Sequence, residues 1–189
     1  MDEQLETTTL AGGCFWCTEK IFSMLRGVKS VLPGYAGGSA ENPFYQQVCW
    51  GDTGHAEAIQ ILFDPKQISF EKILDVFWNT HDPTTLNQQG NDVGTQYRSV
   101  IFYHNNTQKM VAEKSKAEME KSKQYKNKIV TEIVPFKNFY VAEDYNKNYF
   151  EKNPQAPYCN FVIGPKIKQM LDKYGNDVKE EYKNQGTVS

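Results

Sequence analysis

The stretch from Ser69 to Trp78 limits what this chain can fold into more than any other. Ser69 is a helix N-cap residue, and Phe70, Ile73, Leu74, Phe77 and Trp78 follow at i, i+3, i+4, i+7 and i+8. That spacing lays large apolar side chains along one helix face, and such a face is stable only against a second layer. β-prone runs at Thr7–Ala11, Val28–Tyr35, Ala56–Phe63 and Tyr97–Tyr103 can supply that layer. Another helical pattern starts at Cys14, with Ile21, Phe22 and Leu25 on one face before Gly27. Up to Tyr103 the order is therefore β-α-β-β-α-β, the split βαβ arrangement. The expected fold class is α+β, a two-layer sandwich with a ferredoxin-like core, followed by a long irregular C-terminal tail and a terminal helix.

Other segments are less defining. Gly37–Asp52 and His81–Thr95 are polar, turn-rich loops, and long ordered loops in compact domains are commonly functional. Thr107–Lys123 reads as a lysine-rich surface helix and Ile129–Val134 as a fifth strand. Beyond Phe139 the chain is rich in Tyr, Asn and Pro and is expected to coil over the core, before a last helix carrying Ile167, Met170, Leu171 and Tyr174. No repeat or low-complexity linker divides the chain. We expect one catalytic domain over 1–189, with a core at about 7–153 and a tail over 154–189. A domain of ~150 residues already buries roughly 70% of its unfolded surface, so no disulfide framework is needed for folding.

Charge removes several classes of function. The chain holds 21 basic and 23 acidic residues: 6 against 12 in residues 1–108, and 15 against 11 in 109–189. Only Arg26 and Arg98 are arginines, and the later lysines alternate with glutamates, which describes a solvated helical face rather than a nucleic-acid surface. No apolar run approaches the ~20 residues of a membrane span. The acidic start, Met1 to Glu6, lacks the apolar segment of a secretory signal. The expected compartment is the cytoplasm, where cysteines are catalytic or metal-binding more often than structural.

Cys14 follows Gly12-Gly13 and opens a helix as Cys14-Phe15-Trp16-Cys17. A thiol at a helix N-terminus lies among unpaired backbone N–H groups at the positive end of the dipole. The expectation is a thiol pKa below the ~8.5 of free cysteine, and hence a reactive thiolate. The two glycines open an approach, and Phe15 and Trp16 provide apolar walls. Three other readings compete: half a zinc site, a thioredoxin-type redox pair, and inert core cysteine. Zinc lacks its second half, since Cys49 and Cys159 are isolated and His55 alone is a poor fourth ligand.

An ordered set of further motifs narrows the choice. It runs Gly13-Cys14-Phe15-Trp16, Gly34-Tyr35, Gly37-Gly38, Asn42-Pro43-Phe44-Tyr45, Gly51-Asp52-Thr53-Gly54-His55-Ala56-Glu57-Ala58, His81-Asp82-Pro83-Thr84, Gly90 to Ser99, and Ala142-Glu143-Asp144-Tyr145. In these, residues 7 to about 153 resemble the A-type peptide methionine sulfoxide reductases. The resemblance implies reduction of the S epimer of methionine sulfoxide, free or in oxidised proteins, by a monomer. Thioredoxin is the implied electron donor, with no metal or organic cofactor. It makes Cys14 the nucleophile and Glu57 the acid. Tyr45 and Tyr97 become the oxygen-binding tyrosines, Asp92 the substrate-orienting carboxylate, and Phe15 and Trp16 the methyl-binding walls. His55 is expected to hold its loop by hydrogen bonds rather than to catalyse.

Those residue types suit the chemistry. The sulfoxide oxygen is a poor leaving group unless acids and hydrogen-bond donors face it. A glutamate can donate near pH 7 only if burial raises its pKa, while phenols are neutral donors. Attack leaves Cys14 as a sulfenic acid that a second thiol condenses into a disulfide. Cys159, in a Pro- and Asn-rich tail resembling the family's resolving tail, is the preferred partner. Cys17, where many members have glycine, is second, with a relay through both left open, and Cys49 is third. The rival functions are a general disulfide oxidoreductase acting through Cys14 and Cys17, and a zinc-binding module.

Overall fold

A computed structural model of the chain describes residues 4–183. Met1–Glu3 of the acidic start, and 184–189 of the expected tail, lie outside the described residues. Strands β1 (Glu6–Gly12), β2 (Val28–Ala36) and β3 (Ala56–Phe63) alternate with helices α1 (Phe15–Ser23), α2 (Tyr45–Trp50) and α3 (Phe70–Thr80). A two-residue hairpin, β4 (Gln88–Gln89) with β5 (Asp92–Val93), precedes β6 (Ser99–Tyr103) and α4 (Asn106–Ser122). Then come β7 (Glu132–Pro135), β8 (Phe139–Val141), α5 (Tyr149–Lys152), a wide turn of π-helix at Cys159–Ile163, α6 (Gly164–Tyr174) and α7 (Glu180–Lys183).

The molecule is a mixed α/β protein around one six-stranded sheet, ordered β7-β6-β1-β3-β2-β8. β1 pairs antiparallel with β3 and β6, β2 with β3 and β8, and only β7 runs parallel to its neighbour β6. Strand alternation sorts the side chains. Leu10, Tyr35, Ile59, Ile61 and Phe63 face α1 and α3, where Ile21, Phe22, Ile73, Leu74 and Phe77 complete the main core. The opposite face is built of small residues, Ala11, Ala36, Ala56 and Ala58, with Val100 and Phe102.

The Ser69 cap is in place, its hydroxyl accepting from the Lys72 amide at 3.2 Å, and Phe70, Ile73, Leu74, Phe77 and Trp78 are all buried. Four segments differ from the sequence expectation. The Gly37–Asp52 loop contains α2, which spans only 6 residues and ends on Gly51 at φ +81°; a helix that short shows no periodicity. The His81–Thr95 loop contains the β4–β5 hairpin. The fifth strand starts at Glu132, not at Ile129. The segment expected to coil irregularly supplies β8 to the sheet edge and buries Ile163, while the expected last helix, α6, packs Ile167, Met170 and Tyr174 into the core. Among the described residues no helix is long and apolar enough to cross a membrane.

Candidate active site

β1 ends on Gly12-Gly13, and the chain turns there into α1. Gly13 sits at φ +90°, and a Cβ on it would lie 2.5 Å from the Gln89 side chain, so the turn admits only glycine. Gln89 spans back to Asp82, accepting from its amide at 3.0 Å and donating to its carbonyl at 3.1 Å. The turn puts Cys14 at the N-cap of α1 with no side-chain cap of its own.

The first free amide of α1 is taken by another group. The Phe15 N–H donates to Glu57 Oε2 at 3.0 Å. Glu57 lies on the helix-facing side of β3 and is 1% exposed. Burial is the main influence on its carboxyl, followed by the opposing Phe15 hydrogen bond and the charge of Asp92, and its pKa is pushed up to about 8. Glu57 is therefore mostly a neutral acid at pH 7.

The Cys14 thiol departs from expectation. Burial, hydrogen bonding with Cys17 and the proximity of Glu57 push its pKa above the ordinary range, not below it. The helix terminus that would stabilise a thiolate is occupied by the Glu57 carboxyl, and water is excluded. The hydrogen bond from Cys14 instead holds the Cys17 thiol low. Cys159 is 1% exposed in the π turn, where burial, then the charge of Cys17, pushes its thiol up. The charge of Cys17 thus acts on both other thiols.

The other expected residues converge here. Tyr45 opens α2 and Tyr97 ends the 3-10 turn at Thr95–Tyr97; desolvation, then the charge of Glu57, push both phenols well above their usual range. They stay protonated donors near that carboxyl. Phe15 is buried against Tyr35 and Tyr45, with ring centroids 5.7 and 6.2 Å away, and Trp16 faces Tyr45 at 6.2 Å. Asp92 sits on β5, its Oδ2 accepting from the Tyr158 hydroxyl at 2.6 Å. Cys49 lies one turn along α2 from Tyr45 and hydrogen-bonds with its hydroxyl, while burial pushes its thiol up. His55 bonds the Gly38 amide and the Ala40 carbonyl, a structural role within its loop.

Sequence reasoning missed a supporting shell from the segment beyond Phe139. Asn146, fully buried, accepts from Trp16 Nε1 at 3.0 Å and donates to Glu143 at 3.1 Å; Glu143 also accepts from the Tyr35 hydroxyl and the Tyr45 amide, each at 2.7 Å. Tyr149 stacks on Trp16 with centroids 3.6 Å apart. Buried Glu19 on α1 accepts from the Asn148 amide at 2.9 Å and so fixes the turn that delivers Tyr149. Tyr158 meets Trp16 edge-on and lies 4.0 Å from Cys17 Sγ. Glu143 stood inside a quoted motif and Tyr158 beside Cys159, which were the only signals available. Among the described residues no group of three or more His, Cys, Asp or Glu side chains is arranged to hold a metal ion.

A cysteine beside a neutral carboxylic acid and two protonated phenols, walled by aromatics, is an arrangement that can accept a polar, uncharged X=O group. The model of the family described as peptide methionine sulfoxide reductase matches residues 6–179. A "Peptide methionine sulfoxide reductase MsrA" of Leptospira borgpetersenii is 53% identical over 94% of this chain and 99% of its own length. One from Saccharolobus solfataricus is 51% identical over 93% and 98%. The crystal structure of Mxr1 from Saccharomyces cerevisiae in reduced form superposes with TM-score 0.75 at 40% identity, over 82% of this chain and 89% of that one. Mxr1 has also been solved in complex with Trx2, matching this chain at TM-score 0.54 and 30% identity over 77% and 84%. This chain belongs to the peptide methionine sulfoxide reductase family.

Proposed function

We propose that this chain reduces the S epimer of methionine sulfoxide, free or in oxidised proteins, through the Cys14 thiol. The observation that carries the reading is Glu57, a neutral buried acid on the same helix terminus that Cys14 caps. In the first step Cys14 attacks the sulfoxide sulfur and forms an S–S bond. Glu57 gives its proton and the Cys14 thiol its own to the oxygen, which leaves as water, with Tyr45 and Tyr97 as donors to it. Water then adds to Cys14 Sγ, releasing methionine, leaving a sulfenic acid and returning a proton to Glu57. Oxygen, two electrons and both protons are thereby accounted for. Phe15 and Trp16 take the methyl, and Asp92 the substrate backbone.

Resolution is proposed to run from Cys14 to Cys17 and on to Cys159. The charge interactions of Cys17 with both other thiols support that order, and in it Cys17 rather than Cys159 meets the sulfenic acid first. A thioredoxin-type protein is the proposed final reductant, by analogy with the yeast complex with Trx2. We also propose a monomer acting in the cytoplasm, a single catalytic domain, and a split βαβ core, for which the order β6-β1-β3-β2 is the support.

The test is Cys14→Ser. It should abolish formation of methionine from methionine-S-sulfoxide while substrate binding persists, and an unchanged turnover rate would sink the assignment. A general disulfide oxidoreductase would instead reduce insulin as thioredoxin does and leave the sulfoxide untouched.

A further inference from the structure

Three segments distant in sequence meet at one hydroxyl. Tyr158, just before the π turn, donates to Asp92 Oδ2 on β5 at 2.6 Å. The Cys17 thiol on α1 points its proton at the same Tyr158 oxygen, at 4.0 Å. The Tyr158 ring is set by its edge-on contact with Trp16 at 5.6 Å, and its hydroxyl also interacts with Cys14. The donors point one way along this chain, from sulfur to phenol to carboxylate.

We propose that Tyr158 is a catalytic residue of the disulfide-forming step, passing the Cys17 proton to Asp92 as Cys17 attacks the Cys14 sulfenic acid. This rests on the reading above, in which Cys14 is the nucleophile and Cys17 the first resolver. In the reduced site the hydrogen bond from Cys14 holds the Cys17 thiol below its ordinary pKa. That donor is spent once Cys14 carries the oxygen, so another group must take the Cys17 proton at the moment it is needed. Tyr158 holds its own proton firmly, since burial and the sulfur charges oppose a phenolate. It can therefore act only by accepting one proton as it releases another.

The step balances. Cys17 Sγ bonds Cys14 Sγ, and the Cys14 S–O bond breaks. The leaving hydroxide takes a proton from Glu57 and departs as water. The Cys17 proton goes to Tyr158, and the Tyr158 proton goes to Asp92. Asp92 then returns a proton through solvent to Glu57. Two electrons pass from Cys17 to the oxidised Cys14 sulfur, and no further reductant is used.

Tyr158→Phe keeps the ring against Trp16 and removes only the hydroxyl. The full chain is reduced, freed of reductant and mixed with methionine-S-sulfoxide, and both products are timed. Release of the first equivalent of methionine should change far less in the variant than formation of the disulfide that follows it. The Cys14–Cys17 disulfide, followed by mass spectrometry, should form slower by on the order of 10²-fold, and dimedone should trap Cys14 sulfenic acid meanwhile. In a Cys17→Ser background, where the disulfide followed is Cys14–Cys159, Tyr158→Phe should leave its rate of formation unchanged. Disulfide formation at the unaltered rate would overturn the proposal. So would an equal slowing in the Cys17→Ser background, which would mean that the substitution merely displaces Cys159. Failure of the unaltered chain to release methionine would instead overturn the function on which the proposal rests.

Discussion

The Glu57 carboxyl and the Cys14 thiol compete for one helix terminus, and Glu57 holds it: the Phe15 amide donates to Oε2 at 3.0 Å, while Cys14 caps α1 without a side-chain bond. The dipole that ought to activate the thiol is used to seat a buried acid. The resting site is consequently uncharged at both positions. Attack by sulfur and protonation of oxygen then have to occur together, which suits a substrate whose oxygen needs protons to leave.

Glu57→Gln should leave the Phe15 hydrogen bond in place, since an amide oxygen accepts as well. It removes the proton. Methionine formation in a single turnover should slow by roughly 10²–10⁴-fold, the range for general acid–base groups. In the unaltered chain the rate should fall as pH rises past about 8, where Glu57 ionises. That alkaline limb should be absent from the variant. A variant with the normal rate would remove Glu57 as the acid.

The same group makes stability depend on pH. Its folded pKa, about 8, is above the unfolded carboxyl value. Between the two, the folded state binds more protons than the unfolded one, so stability falls as pH rises. It is fully retained below the unfolded value and lost through the folded value. Urea unfolding between pH 4 and 9 should show Glu57→Gln gaining on the unaltered chain as pH rises toward about 8. Parallel curves would contradict the burial argument.

Asn146→Ala leaves the Trp16 indole N–H and part of the Glu143 carboxylate without partners in a partly buried position. We expect a loss of about 1–3 kcal/mol in denaturant unfolding. The wall facing the substrate methyl should also loosen, raising KM more than it lowers kcat.

Gly13→Ala puts a methyl group at φ +90° and 2.5 Å from Gln89. Backbone strain of this kind costs about 1–3 kcal/mol. Because Gln89 is tied to Asp82 on both sides, the displacement should also reach the β4–β5 hairpin and Asp92. Thermal unfolding and single-turnover rates should fall together. A normally stable variant with the normal rate would show that the turn has room to relax.

Cys159→Ser should retain the first methionine and the Cys14–Cys17 disulfide, because the tail thiol is placed after Cys17. Steady-state turnover driven by thioredoxin should fall severalfold, while turnover with a small dithiol such as dithiothreitol should be less affected. Loss of the first disulfide in this variant would reverse the order of the relay.

Much of this was readable without coordinates. The Ser69 cap and the stripe from Phe70 to Trp78 required a covering sheet, and β3 falls at Ala56–Phe63 as expected. These are local properties: caps and periodicities act within a few residues of themselves. α2 and the β4–β5 hairpin were not legible, because one or two turns of structure are held by neighbours rather than by their own pattern. The segment beyond Phe139 was the weakest reading for the same reason. Its Tyr and Asn residues look like coil until Glu143, Asn146, Tyr149 and Tyr158 are seen against α1.

At the site the division is sharper. Sequence alone determined which residues are candidates: a cysteine after two glycines at a helix start, a glutamate entering a strand, and tyrosines in the flanking loops. Only the tertiary structure decided their protonation. Whether Cys14 or Glu57 takes the Phe15 amide, and whether Cys17 or Cys14 holds the lower thiol pKa, depends on burial and on a few ångströms between segments 40 to 140 positions apart. Desolvation and hydrogen bonding act through space, and no local pattern in the chain encodes them.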